Sequence, residues 1–479
     1  MKQYNSLSKV EQQTLLSNLQ DEYNNIKGQN LKLDMSRGKP SVDQLDLSMG
    51  MLDCIHSSKT CKADDGTDCR NYGLIDGIME ARQIFADILE VSPSEVIVDG
   101  NSSLNMMYDT VARAMSFGVL GSEKPWCKLD KVKFLCPSPG YDRHFAICEL
   151  FGIEMIPVKM NADGPDMDTI ESLVATDEAI KGIWCVPKYS NPEGITYSDA
   201  VVTRFAKLKP KATDFRIFWD NAYAVHHLTE KPDLLKNIMT SCRENGTENM
   251  IFIYGSTSKI TFPGVGVAAM AASEANLKEI KKQIGIQTIG PDKLNQLRHT
   301  KYFGDINGII SHMKKHADIL RPKFEVVLNR LEAELSETGL ASWNKPNGGY
   351  FISLDTLNGC AKRTIELCKQ AGVVMTPAGA TFPYGKDPND KNIRIAPTFP
   401  PISELKIAIN LFCLCIKIAG IEKLLNEKLT KHNDEGVNPF YSIIISNDKN
   451  ITLKSRGNAH VLAHNDTIFN NMLFKDYKL

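Results

Sequence analysis

Seven short apolar runs punctuate the first two thirds of the chain: Glu95–Val98, Val132–Cys136, Ile153–Val158, Ile183–Val186, Ile217–Trp219, Met250–Tyr254 and Gly266–Ala271. Each is bounded by Gly, Pro, Asn or Asp. Most are separated by stretches with helical period, such as Ser103–Phe117, Asp142–Phe151 and Ser198–Leu208. Strands alternating with helices predict an α/β fold, a mostly parallel seven-stranded sheet sandwiched by helices. The last two runs lie too close for a crossover helix, so they pair antiparallel or carry a short connection.

The ends read differently. Residues 6–28 have the pattern of an amphipathic helix, and SRGKPS after it is a turn. From about 311, long helical patterns (His312–Glu337, Lys362–Gln370, Ile402–Lys428) surround short β-prone pieces (Gly349–Leu354, Val373–Thr376, Asn392–Ala396). The expected organisation is an N-terminal helix and arm over 1–50, a large domain over 51–310, a smaller α+β domain over 311–430 and an appended tail over 431–479. The tail is rich in Asn and Asp and contains YSIIIS and NITLKS.

Charge and cysteine content narrow the class. The 479 residues carry 56 Lys and Arg against 57 Asp and Glu, a net charge of −1. No chain-wide basic field exists to hold nucleic acid or anionic lipid. The longest apolar runs, such as Val265–Ala272, are too short to cross a bilayer, and MKQYNSLSKVEQQ has no apolar leader core. The 12 cysteines are scattered without a C-x-x-C pair, and several sit inside apolar runs (FLCPSP, IWCVP, LFCLC). That usage fits a reducing, cytoplasmic compartment. Cys54, Cys61 and Cys69 near His56 have spacings of 7 and 8 residues, which match no zinc motif. No metal is expected.

In open α/β sheets, ligands sit beyond the carboxyl ends of the strands. Here those ends are followed by DGNSS, PSPGYDRH, PKYSNPEG, DNAYAVHH and GSTSK. Lys259 follows a strand among three hydroxyl residues, and a desolvated lysine there forms Schiff bases readily. Asp220 ends IFWD, where a carboxylate can pair with a protonated ring nitrogen. Tyr223 lies three residues on and can donate its phenol. Asn191, before a proline, aims an amide into the cleft. Asn101, Ser102 and Ser103 sit between a strand and a helix, a ready phosphate cradle. Tyr141 offers a flat ring for stacking. Arg394, in NIRIAPTFP, is suited to bidentate grip of a carboxylate. His226 and His227 read as structural loop histidines.

With SRGKP, RNYGLIDG, GNSSLNMMYD, PKYSNPEG, DNAYAVHHL, GSTSKITFPG, QTIGPDKLNQLRH, PNGGYF, TPAGATFPYG and NIRIAPTFP, the sequence from about 36 to 400 resembles the fold-type-I pyridoxal-phosphate aminotransferases. It is most similar to their divergent aspartate aminotransferase subgroup (class Ic), also labelled alanine–glyoxylate-aminotransferase-like and related to MocR regulators. The resemblance implies a large cofactor-binding domain, a small domain built from both chain ends, and a homodimer with shared active sites. It implies that Lys259 holds pyridoxal 5'-phosphate and moves the substrate proton, and that Asp220 keeps the pyridine nitrogen protonated. Asn191 and Tyr223 would hydrogen-bond the ring oxygen, and Tyr141 would stack on the ring. Asn101, Ser102, Ser103, Ser256 and Ser258 would hold the phosphate, and Tyr72 would reach the phosphate of the neighbouring subunit. Arg394 would bind the substrate α-carboxylate beside Gly38.

One departure stands out. Most of the superfamily has an Arg soon after the lysine, whereas this stretch is KITFPGVGVAA. The substrates implied are small amino and oxo acids, with L-aspartate and 2-oxoglutarate expected. A dicarboxylate needs a second cation; Lys293, Arg298, Arg37 and Lys39 are candidates, and Arg298 is favoured as a residue supplied by the partner. An alanine–glyoxylate-type or other aminotransferase is the alternative. A MocR-like sensor is a further one, but it carries a winged helix-turn-helix, and only about 35 residues precede SRGKP.

Overall fold

The computed structural model describes residues 3–434 and two strands, Tyr441–Ile445 and Ile451–Ser455, which pair antiparallel. The rest of the expected tail lies outside the described residues. In chain order the earlier strands are β1 (Leu33–Asp34), β2 (Val96–Val98), β3 (Lys133–Ser138), β4 (Glu154–Asn161), β5 (Gly164–Pro165), β6 (Ile180–Cys185), β7 (Arg216–Asp220), β8 (Ile251–Ser256), β9 (Ala268–Ala272), β10 (Ala341–Trp343), β11 (Ile352–Thr356), β12 (Val373–Val374) and β13 (Asn392–Ile395).

Eight of them form one sheet in the order β2-β9-β8-β7-β6-β3-β4-β5. β4, β3, β6, β7 and β8 are joined by parallel pairings. β9 runs antiparallel to both β8 and β2, so β2 points the same way as the parallel set. All seven expected strands are present. The last two pair antiparallel because residues 257–267 between them hold a tight turn rather than a crossover helix. The eighth strand, β5, is a two-residue antiparallel addition at the edge of β4. Gly and Pro give it no strand signal.

The strands are apolar throughout because both faces are covered. One face packs Phe85, Val202 and Trp219, and the other packs Trp126, Phe134, Trp184 and Phe218. A separate core joins Leu19, Tyr23 and Met35 near the start to Phe324, Leu354 and Phe412 near the end. It is built on the helices Lys9–Lys27, Ile306–Leu335 and Ile402–Asp434, the sheet β10-β11-β13 and the pair β1–β12. Helix Lys9–Lys27 begins at a capping box, with Ser8 Oγ accepting from Glu11 N and Glu11 accepting from Ser8 N. β10 is a strand the periodicity did not indicate, and β11 starts three residues later than expected.

Helix Ile306–Leu335 spans both regions. Ile309 and Met313 belong to the sheet's core, and Leu320, Phe324 and Val327 to the other. No helix among the described residues is long and apolar enough to cross a membrane.

Candidate active site

Because β2, β3, β6, β7 and β8 all point one way, the loops after them converge on one edge of the sheet. There they enclose a cavity of about 160 Å³. Nine of the residues expected in the site line it: Ser102, Ser103, Tyr141, Asn191, Asp220, Tyr223, Ser256, Ser258 and Lys259.

Lys259 sits in the turn after β8, where Ile260 N and Thr261 N both donate to Thr257 O at 2.9 Å. Its Nζ lies 5.0 Å from the Tyr223 ring centre and 5.8 Å from that of Tyr350. Loss of water lowers its pKa, the charge of Arg394 lowers it further, and Asp220 opposes them. A lysine so placed gives up its proton more readily than an exposed one.

Asp220 closes β7 and is buried. Its Oδ2 takes a hydrogen bond from His144 Nε2 at 3.1 Å, while Oδ1 is buried and has no partner. A buried carboxylate oxygen without a donor is costly, so this atom is complementary to a cationic N–H in the cavity. His144 is itself fixed by stacking on Trp184, with centres 4.5 Å apart and planes 13° from parallel, and by the Tyr141 ring edge-on at 4.9 Å. Sequence reasoning missed His144. Its only signal is its place three residues after Tyr141 in the same polar loop.

Burial raises the phenol pKa values of Tyr141 and Tyr223, with the nearby negative charge of Asp220 adding to the rise in each. Both phenols therefore act as hydrogen donors. Ser102 Oγ caps helix Ser103–Phe117 by accepting from Asn105 N at 3.3 Å. Ser256 Oγ donates to Ser258 Oγ at 3.0 Å. The helix start and the hydroxyls thus form an anion-seeking corner. Among the described residues lining the cavity, Lys259 is the only cation.

Arg394 borders the cavity from β13. Its Nη1 donates to Asp142 Oδ1 at 2.8 Å and to Asn191 Oδ1 at 3.2 Å, and its Nε is buried without a partner. The guanidinium lies over the Phe351 ring at 4.9 Å. Gly38 reaches the same place from the N-terminal arm. A Cβ there would come within 2.4 Å of the Phe351 ring, so the close approach requires glycine.

Three expected residues are not brought into the cavity by this chain. Asn101 is exposed. Tyr72 is 78% exposed. Arg298 lies on helix Lys293–Phe303, where Nη2 donates to Asn295 Oδ1 at 2.5 Å. Lys293, on the same helix, donates to Gly73 O at 2.8 Å. Lys39 Nζ sits 3.8 Å over the Phe399 ring. His227 Nδ1 lies 2.9 Å from Tyr189 Oη, and burial drives its pKa down to about 4. His226 is buried, and loss of water drives its pKa down.

Residues 7–428 match the family model described as aspartate amino-transferase. An aspartate aminotransferase of Corynebacterium glutamicum is 46% identical over 404 residues, covering 84% of this chain and 93% of that protein. The crystal structure of an aspartate transaminase from Corynebacterium glutamicum superposes with a TM-score of 0.86 at 44% identity, covering 88% of this chain and 99% of that one. At 18% identity, the α-aminoadipate aminotransferase LysN of Thermus thermophilus, complexed with N-(5'-phosphopyridoxyl)-L-leucine, shares the fold with a TM-score of 0.65 over 83% of this chain and 93% of its own.

Proposed function

The chain belongs to the aspartate aminotransferase family, and we propose that it moves the amino group between L-aspartate and 2-oxoglutarate, giving oxaloacetate and L-glutamate, by a ping-pong route in the cytoplasm. It is a pyridoxal-phosphate-dependent transaminase of fold type I. The observation that carries the reading is the unpartnered Asp220 Oδ1 in the same cavity as Lys259.

The residues present fit the cofactor. Asp220 Oδ1 offers a buried charge to a protonated pyridine nitrogen, and Lys259 is poised to hold the aldehyde carbon. Ser102, Ser103, Ser256 and Ser258 supply donors for a phosphate, with Asn101 beside them. Tyr223 and Asn191, which line the same cavity, would donate to the ring oxygen, and Tyr141 would stack on the ring. When bound, pyridoxal phosphate supplies an electron sink that stabilises negative charge at the substrate Cα and carries the amino group between the half-reactions.

The chain's own residues do the rest. Arg394 binds the α-carboxylate through the donors left free by Asp142 and Asn191, and so fixes which Cα bond faces the amine. Lys259, its pKa lowered by burial, takes the proton from Cα as general base and returns it on the other side of the transfer. His144 holds the Asp220 carboxylate in place through the contact at Oδ2.

An exposed apolar patch supports a homodimer with shared sites. Tyr72, Leu74, Ile286 and Ile289 are exposed apolar side chains. Those at 72–74 and 289 are drawn together by the Gly73 N to Ile289 O bond at 3.1 Å. An apolar patch of this kind marks a protein contact. In that dimer Tyr72 reaches the phosphate of the other subunit, and Arg298 meets the distal carboxylate in the partner's cavity. Among the described residues lining the cavity, Lys259 is the only cation, so a site that gains no arginine from a partner suits a neutral amino acid such as alanine, which is the second reading.

Initial rates with L-aspartate and L-alanine, for the native chain and for Arg298→Ala, separate the two. The aspartate reading expects the substitution to reduce kcat/KM for aspartate about 100-fold and for alanine less than threefold, the size of losing one charge-assisted carboxylate contact. Equal losses on both substrates overturn it.

A further inference from the structure

The turn that carries Lys259 is held from two sides by histidines that take no part in the chemistry above. On one side, helix Lys293–Phe303 presents His299, which is buried. Its Nδ1 lies 2.8 Å from Asn295 O, an acceptor only, so Nδ1 carries the ring proton. Nε2 is then a lone pair, 2.9 Å from Thr261 Oγ1 and 3.2 Å from Thr257 Oγ1. Thr257 Oγ1 in turn accepts from Val267 N at 2.9 Å, which ties the turn to the start of β9. The hydroxyls of the first and last residues of the turn are thus gathered on one imidazole.

On the other side, helix Ile306–Leu335 presents His312, whose Nε2 lies 2.9 Å from Ile260 O, the carbonyl next to Lys259. Ser48 Oγ approaches the same nitrogen at 3.2 Å, and His316 Nε2 at 3.1 Å. His316 Nδ1 faces the Gln44 amide at 3.0 Å. That amide donates to Tyr350 Oη at 2.9 Å, and Tyr350 Oη donates to Lys259 O at 3.4 Å. Gln44, Ser48, Ile260, Thr261, His312, His316 and Tyr350 are all buried. The groups facing Lys259 itself are Asp220, Arg394, Tyr223, Tyr350 and His226.

We propose that His299 and His312 are positioning residues for Lys259: they clamp residues 257–261 between consecutive helices and so fix where the amine sits and how dry it is. This deepens the proposed transaminase reading and rests on it only for the role of Lys259. Burial pushes the ring pKa of His299 down to about 4 and lowers that of His312, so both rings are neutral at the pH of the reaction and the clamp adds no charge beside the amine. Buried networks of this kind rigidify the groups they satisfy. Small displacements of a reacting group reduce rates steeply.

The test uses the full chain with His299→Phe, His312→Phe, the donor-restoring His312→Gln, and Thr261→Val, which removes a hydroxyl with little change of shape. Stripped of cofactor, each is mixed with pyridoxal phosphate across pH, and the growth of the visible absorption band is followed. Only the unprotonated amine captures the aldehyde, so the midpoint of this pH profile reads Lys259. In the two Phe variants and in Thr261→Val, the midpoint is expected to rise by about half a unit or more toward the ordinary lysine value. Their kcat should fall about tenfold with KM for the amino acid unchanged, and His312→Gln should restore most of both. Releasing one turn from either side is one event, so His299→Phe combined with His312→Phe should fall little further than the worse single variant.

Unshifted capture midpoints with kcat within twofold of the native chain overturn the proposal, and Thr261→Val decides the matter if the Phe variants do not fold. Failure to capture pyridoxal phosphate by the native chain would instead count against the transaminase reading itself.

Discussion

Replacing Arg394 by lysine isolates the fork of the guanidinium from its charge. The residue is 8% exposed, so its interactions are little screened. Nη1 is already committed to Asp142 at 2.8 Å and Asn191 at 3.2 Å, Nε has no partner, and the plane rests on the Phe351 ring. A carboxylate arriving from the cavity meets a guanidinium with donors to spare, held flat on one side. A lysine keeps the charge but has one compact ammonium, and it cannot satisfy Asp142, Asn191 and a bidentate carboxylate together. Hydrogen bonds to charged groups contribute about 1.5–3 kcal/mol each. Loss of one such bond, and weakening of a second, removes roughly 2–4 kcal/mol from substrate and transition state alike. At about 1.36 kcal/mol per tenfold change, kcat/KM for both L-aspartate and 2-oxoglutarate falls about 30- to 1,000-fold, mostly as a rise in KM. Steady-state rates at varied substrate measure this directly. Cofactor content, read from the visible spectrum, should stay unchanged because Arg394 borders the cavity rather than lining it. A loss below about threefold on both substrates would refute the assignment of the α-carboxylate to Arg394.

Gly38→Ala places a methyl 2.4–2.5 Å from two atoms of the Phe351 ring. The displaced ring moves its guanidinium neighbour, so KM is expected to rise about tenfold for both substrates with bound cofactor unaffected, and stability to drop by about 1–3 kcal/mol in denaturant titration. Acid lability follows from His227, His299 and His316, each held by burial at a pKa of about 4 against 6.5 when unfolded. Between those values the unfolded chain binds more protons than the folded one, so stability is complete above about pH 6.5 and declines as pH falls toward 4. Thermal melts of the cofactor-free protein from pH 8 down to 4.5 should show that decline, and His299→Gln should flatten part of it.

The sheet and its loaded edge were legible because strand ends in a parallel sheet are marked twice, by an apolar run and by the polar loop that follows. Asp220 after IFW and Lys259 after IYGSTS are visible on that ground alone. What stayed hidden depends on contacts distant in sequence. His144 bonds Asp220 across 76 positions, and only the packing of helix Asp142–Leu150 on Trp184 brings it there. His312 and His316 look like two more positions on a long periodic helix, yet they end against the Lys259 turn. The strand at Gly164–Pro165 exists because β4 extends past its neighbour and offers an open edge, not through any propensity of its own. Arg298 is read from its place in the chain as a residue supplied by the partner, and it lies outside the cavity of its own chain.

The central claim is that Lys259 carries the cofactor and that aspartate gives it the amino group. The visible absorption spectrum of the purified protein with pyridoxal phosphate, recorded before and after L-aspartate and again after 2-oxoglutarate, tests both parts at once. A visible band that bleaches with aspartate, returns with 2-oxoglutarate and never forms in Lys259→Ala is the predicted result. A band that ignores aspartate but responds to alanine would contradict the substrate, and a native protein with no band at all would contradict the account.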